Sequence, residues 1–141
     1  MDYHLPDWLP IYFDKIYLVC GYTDLRKQID GLLEIVTTQY GIRASRGQLF
    51  LFCGGRCDRI KLLLYDGQSY NLIYHRNEDI RYTWPRKNEE IWILSREELS
   101  VLLEGKQYTS DHFESGIVGN RRTIGFSQIT AKTRMGIVVP W

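Results

Sequence analysis

A chain of 141 residues with 44% hydrophobic and 25% charged residues has an ordinary globular composition, and it is long enough to bury one core without covalent staples. Its formal net charge of +1 excludes a bulk-charge argument for a polyanionic partner, so any such case must rest on local clustering. No apolar run approaches bilayer-spanning length, the opening MDYHLPDWLP lacks the order of a secretory signal, and the 3 cysteines are an odd number that argues against a disulfide framework, so a reducing cytoplasm and no membrane partner are expected.

The first element is a strand: IYFDKIYLVC, from Ile11 to Cys20, is dense in branched and aromatic residues. Gly21 and Tyr22 turn the chain, Thr23 is the expected N-cap with Asp24 after it, and Leu25, Ile29, Leu32, Leu33, Val36 and Tyr40 form one helical stripe. Gly31 inside that helix costs roughly 1 kcal/mol against Ala, which suggests a close helix-to-sheet approach, and Gly41 is the expected stop. GQLFLFCG is a second strand. DRIKLLLYDGQSYNLIYHR follows as a hairpin, where Asp66-Gly67 is a strong signal for a two-residue loop that would set Leu63 opposite Tyr70, Lys61 opposite Leu72 and Arg59 opposite Tyr74. One face of that hairpin would mix Arg59, Lys61, Leu63, Tyr65, Tyr70, Leu72 and Tyr74; the other, with Ile60, Leu62, Leu64 and Ile73, is the better core.

Two further short strands are expected around IRYTW and EEIWIL. Ser95 and Glu98 then form a capping box ahead of a helix with Leu99, Leu102 and Leu103 inward. These elements predict an α+β domain over residues 1–107: an antiparallel sheet of about five strands, built as a hairpin or meander, with one long helix after strand 1 and a shorter C-terminal helix. Residues 108–141, rich in Gly, Ser and Thr, read as an irregular, poorly structured tail, to which IVVPW could add a short strand.

Two clusters carry possible chemistry. Arg26 and Lys27 fall in the expected first turn of the helix, where the peptide dipoles favour acids rather than bases. Unpaired N–H groups plus two cations would attract phosphate, with Asp30 four residues on to hold the Arg26 guanidinium; the alternative is a solvated face with a poorly chosen charge order. The second cluster, Arg43 to Lys61, includes Arg56, Arg59 and Lys61 around a Gly54-Gly55 turn with Asp58 as its only acid. It fits phosphate contact or, equally, charges that block edge-to-edge pairing. Cys53 and Cys57 have C-x-x-x-C spacing without a second pair, so no metal site is expected. The familiar hydrolase, metalloprotease and phosphate-loop motifs are missing, and a carboxylate cluster of Asp24, Asp30, Asp58 and Asp66 for nuclease work ranks last.

Read in order, G-x-T-D-x-R-K-x-x-D-G-L (Gly21, Thr23, Asp24, Arg26, Lys27, Asp30, Gly31, Leu32), D-R-I-K (Asp58 to Lys61), Asp66 with Gly67, Tyr70, Leu72 and Arg76, then Trp84-Pro85 and LLEG ending at Gly105 form one pattern. It resembles the TnpB accessory protein family of insertion sequence 66 type transposable elements, across about residues 10–107. The resemblance implies a non-catalytic accessory factor for DNA transposition, without cofactor or metal, acting beside a separately encoded transposase. DNA, with transposon ends as one candidate, and that transposase are the implied partners. The basic positions of the pattern fall on Arg26, Lys27, Arg56, Arg59, Lys61 and Arg76, whereas Gly55, His75 and Ile80 depart from it. The expectation is that these bases gather into one electropositive DNA-binding surface, with Tyr70 and Tyr74 as stacking groups for unpaired DNA. The alternative is an interaction module that binds the transposase without touching DNA, anchored by exposed tyrosines and Trp84.

Overall fold

Runs of branched and aromatic residues set the strands. In the computed structural model, which describes residues 5–10, 12–87, 89–105 and 123–125, they are β1 (Lys15–Val19), β2 (Gln48–Cys53), β3 (Arg59–Tyr65), β4 (Tyr70–Arg76), β5 (Glu90–Leu94) and the three-residue β6 (Thr123–Gly125). They form one six-stranded sheet in the order β4-β3-β2-β1-β5-β6. The class is α+β, as expected, but the sheet is mixed rather than antiparallel: β1 pairs parallel with β2, and the other four pairings are antiparallel. Parallel neighbours need a crossover of a dozen or more residues, and the helical stretch between Cys20 and Gly47 supplies it. β6 pairs with β5; the rest of the expected tail, IVVPW included, lies outside the described residues.

The first helix, α1 (Ile29–Glu34), is shorter than its stripe predicts and starts later. It continues as a π-helical segment, Ile35–Gln39. The run Ile35-Val36-Thr37-Thr38 is wholly β-branched, and the Thr37 hydroxyl donates to the Leu33 and Glu34 carbonyls at 3.0 and 3.3 Å, in competition with the α ladder. Gly41, at φ 68°, then turns the chain out as expected. The nearest neighbour of Gly31 is the Lys27 stem: a Cβ there would sit 3.1 Å from Cβ of Lys27.

The sheet is covered on both faces. On one, Leu32, Val36 and Tyr40 pack on Tyr17, Val19, Phe50, Phe52 and Leu63. On the other, helix α2 (Arg96–Leu103) brings Leu99 and Leu102 against Ile16, Leu18, Leu49, Leu51, Ile60 and Leu62. The α2 capping box is present in full, Glu98 N–H donating to Ser95 Oγ at 3.1 Å and Ser95 N–H to Glu98 Oε1 at 2.8 Å. Ser95→Ala is expected to lower unfolding stability by about 1 kcal/mol; an unchanged urea midpoint would show that the box is redundant.

The β3–β4 hairpin keeps its predicted faces but not its register. Its loop is residues 66–69, with Tyr65 opposite Tyr70, Leu63 opposite Leu72, Lys61 opposite Tyr74 and Arg59 opposite Arg76. Asp66 Oδ1 accepts from the N–H groups of Gln68 and Ser69 at 2.9 and 2.7 Å, and Tyr65 stacks on Tyr70 with centroids 4.6 Å apart. These bonds stabilise a four-residue loop over the two-residue turn, and a slip of two preserves every side chain's face. IRYTW, expected as a strand, joins none. Tyr82 and Trp84 point from it onto the α2 side of the sheet, the Tyr82 N–H donating to the Cys57 carbonyl at 2.7 Å and Trp84 Nε1 to the Val19 carbonyl at 3.0 Å. The alternation there serves face packing rather than edge pairing.

Candidate nucleic-acid interface

The loop from Gly21 to Gln28 is held by long-range bonds, and these explain why the helix starts late. The Gly21 N–H donates to the Pro85 carbonyl at 2.8 Å, and the Thr23 N–H to the Cys53 carbonyl at 2.8 Å. Thr23 is therefore buried against the end of β2 and is not an N-cap; Gln28 occupies that position without a side-chain cap bond. Arg26 and Lys27 precede the helix, and Asp30 takes the first-turn place that the dipole favours.

Asp24 organises this loop. Its Oδ1 accepts from the Arg26 N–H at 3.0 Å, and its two oxygens receive the guanidinium, Nε at 3.0 Å and Nη2 at 2.8 Å. Asp30 is not the partner. The Arg26 guanidinium and N–H hold the Asp24 carboxyl well below the usual carboxylate range. A depressed carboxyl stabilises the fold above its unfolded-state value and loses that contribution as pH falls through its folded-state value. The Asp24 side-chain carbon is thus expected to titrate, by NMR, below the ~3.9 of a free aspartate; a midpoint at or above it would mean that the clamp does not persist.

Opposite this loop lies the turn joining β2 to β3. The Cys57 N–H donates to the Gly54 carbonyl at 3.0 Å, Cys57 takes φ 62°, and Arg56 stands exposed at the tip. Gly54 admits Leu25 from the facing loop, since a Cβ would lie 3.2 Å from Leu25 Cδ1, whereas Gly55 meets nothing within 4 Å. Arg59 is held by its neighbour Asp58, with Nε 2.8 Å from Oδ1, and that bond draws the Asp58 carboxyl below its ordinary range, with Arg56 a smaller influence. Cys53 is buried, its Sγ 3.4 Å from the Gly54 carbonyl oxygen, and burial pushes its thiol up.

Lys61 reaches between the two loops. Only 6% exposed, it donates from Nζ to the Lys27 carbonyl at 2.8 Å, and its ammonium lies 5.7 Å from the centroid of the Tyr74 ring. Arg26, Arg56, Arg59, Lys61 and Tyr74 therefore line one cavity of about 730 Å³, together with Thr23, Asp24, Gln28 and an apolar wall of Leu25 and Leu72. Among the described residues neither Arg56 nor Lys61 has a carboxylate within ion-pair distance, so the cavity carries uncompensated positive charge.

Three of the expected site residues lie elsewhere. Lys27 lines a second cavity, with Gly31, Glu34 and Glu89, and touches the first only through the bond its carbonyl accepts from Lys61. Arg76, at the end of β4, pairs with Glu78 at 3.3 Å. Tyr70 is stacked on Tyr65 at the opposite end of the hairpin and packs toward α1. Trp84 is buried and so is no surface anchor, and Asp66 with Gly67 builds the hairpin loop. Of the four aspartates considered for metal, Asp24 and Asp58 hold arginines, and among the described residues no three His, Cys, Asp or Glu side chains converge on a metal-sized site. Leu25 and Leu72 were missed as site residues. The alternation of β4 puts Leu72 beside Tyr74 on one face, a legible signal; Leu25 reads as helix core and could not have been found.

Among the described residues no helix is long and apolar enough to cross a membrane. Two uncharacterized proteins of Sinorhizobium fredii (strain NBRC 101917 / NGR234) are similar to this chain. Protein y4jC is 28% identical over 95 residues, covering 67% of this chain and 81% of the relative. Protein y4hO is 29% identical over 91 residues, covering 64% and 79%. No solved structure matches. The family described as IS66 Orf2 like protein matches residues 14–112, which span the sheet's first five strands, both helices and every residue of the cationic cavity, and the chain belongs to that family of transposition-associated accessory proteins.

Proposed function

We propose that the protein is a non-catalytic DNA-binding factor that assists a separately encoded IS66-type transposase. The supporting observation is the convergence of Arg26 from one loop, Arg56 from another and Arg59 and Lys61 from β3 on a single cavity. Clustered guanidinium and ammonium groups attract phosphate, release condensed counterions and give affinity with little dependence on sequence. Asp24 and Asp58 hold two of the arginines in place, so the groups are preorganised, while Arg56 and Lys61 keep net positive charge there. Gel shifts with transposon-end and scrambled DNA at two salt concentrations, with and without the transposase, test the reading. A steep fall in affinity with salt is expected; no binding at low salt would overturn it.

A protein-only interaction module is the second reading. It is favoured by the exposed rings of Tyr12, Tyr22 and Tyr74 and by the partial neutralisation of Arg26 and Arg59. Retention of the transposase at high salt, by a protein that ignores DNA, would select it.

A further inference from the structure

Resting on the DNA-binding reading, we infer that the cavity takes a single unpaired nucleotide of a DNA strand, its base against Tyr74 and Leu72 and its phosphate between Arg56 and Lys61. Three observations carry this. First, the cavity is an open cleft of about 730 Å³, within the ~300–1,000 Å³ typical of small-ligand sites, and so has room for a nucleotide. Second, one wall is apolar: Leu25 and Leu72 line it beside Tyr74, which is 52% exposed. A duplex shows base edges in its grooves but buries its base faces in the stack, so it has no π-face to set against Tyr74. An unpaired nucleotide presents both a π-face and a charge, and a base stacked on an aromatic ring is the usual recognition unit for single strands.

Third, the most buried cation among the described residues lies inside. Lys61 is 6% exposed, and the Lys27 carbonyl accepts one of the three N–H donors of its ammonium. No carboxylate lies within ion-pair distance of it among the described residues. Burying a charge is costly unless it is paired, and a phosphate entering the cavity would complete its partners. A backbone phosphate on a duplex surface would meet exposed Arg56 first and leave Lys61 unserved.

The test is fluorescence anisotropy of the full chain against a short labelled single strand, the matching duplex, single-stranded RNA of that sequence and a deoxynucleoside monophosphate. The single DNA strand is expected to bind about tenfold or more tighter than the duplex. Tyr74→Ala should weaken the single strand about tenfold, with Tyr74→Phe close to wild type and duplex binding nearly unchanged in both. Tyr74 is exposed, and a thermal melt checks that each variant is folded; if the alanine variant is not, Tyr74→Leu reads the same loss of stacking. Equal affinity for duplex and single strand, with Tyr74→Ala harmless to both, would overturn the inference and leave the DNA-binding reading standing. No binding to any DNA would overturn both. RNA bound more tightly than DNA, or a mononucleotide bound as tightly as the strand, would overturn the assignment to a DNA strand.

Discussion

Trp84→Ala is expected to lower unfolding stability by about 3–5 kcal/mol, the range for deleting a large buried aromatic. Trp84 is 4% exposed on the α2 side of the sheet, edge-on to Tyr82 with centroids 6.4 Å apart. Its Nε1 donates to the Val19 carbonyl at the end of β1, 3.0 Å away. Since a domain of this size has only about 5–15 kcal/mol in total, the loss is a large fraction of what holds it folded. Trp84→Phe separates the two contributions: it keeps most of the packing, loses the bond, and is expected to cost about 1–3 kcal/mol. Urea midpoints at constant slope measure both. A shift under about 1 kcal/mol for the alanine variant would mean that the segment is held by other contacts. The consequence extends to the cavity. Pro85, next in the chain, accepts from the Gly21 N–H at 2.8 Å, so the Trp84-Pro85 pair anchors the start of the loop that carries Arg26.

Arg56→Glu has the largest expected effect on binding. Arg56 is exposed at the turn tip and lacks an ion pair among the described residues, so its replacement should change stability by no more than about 0.5 kcal/mol. On the DNA-binding reading, reversing its charge would remove a phosphate contact and add repulsion. DNA affinity is expected to fall about tenfold or more at low salt, and the logarithmic salt slope to flatten by about one contact. The control is the double change Asp24→Ala with Arg26→Ala, which deletes a clamped pair without altering net charge. That variant should lose less DNA affinity than Arg56→Glu does, because it removes one cation together with the carboxylate that neutralises it. If the double variant loses more affinity than Arg56→Glu, the clamp rather than the free cation makes the phosphate contact. If neither variant changes affinity, the cavity is not where DNA binds.

The features that could be read in advance are those decided by neighbours in the chain. Ser95 and Glu98 stand three apart and cap α2 as their spacing demands. Gly41 stops the first helical stretch because its backbone can take φ 68°. The alternation along β3 and β4 assigns faces correctly even though the register differs by two, since faces repeat with that same period. Bases and an aromatic on one face of β3 and β4 marked Arg59, Lys61 and Tyr74 as a set, and the cavity lining contains all three.

What was misread depended on residues far apart in sequence. Thr23 looks like a helix cap until the Cys53 carbonyl claims its N–H. Lys61 looks like a surface base on the mixed face of the hairpin until the Lys27 carbonyl draws its ammonium inward, to the wall of the cavity. β2 looks antiparallel to β1 until the crossover returns the chain to the end where β1 began. Local propensity and period thus settled the class of the fold, the existence of β1 to β5 and of the two helical regions, and the types of residue gathered at the candidate site. Strand order, the late helix start and the meeting of two loops over one cavity followed from hydrogen bonds and burial between distant segments, whose partners no local pattern names.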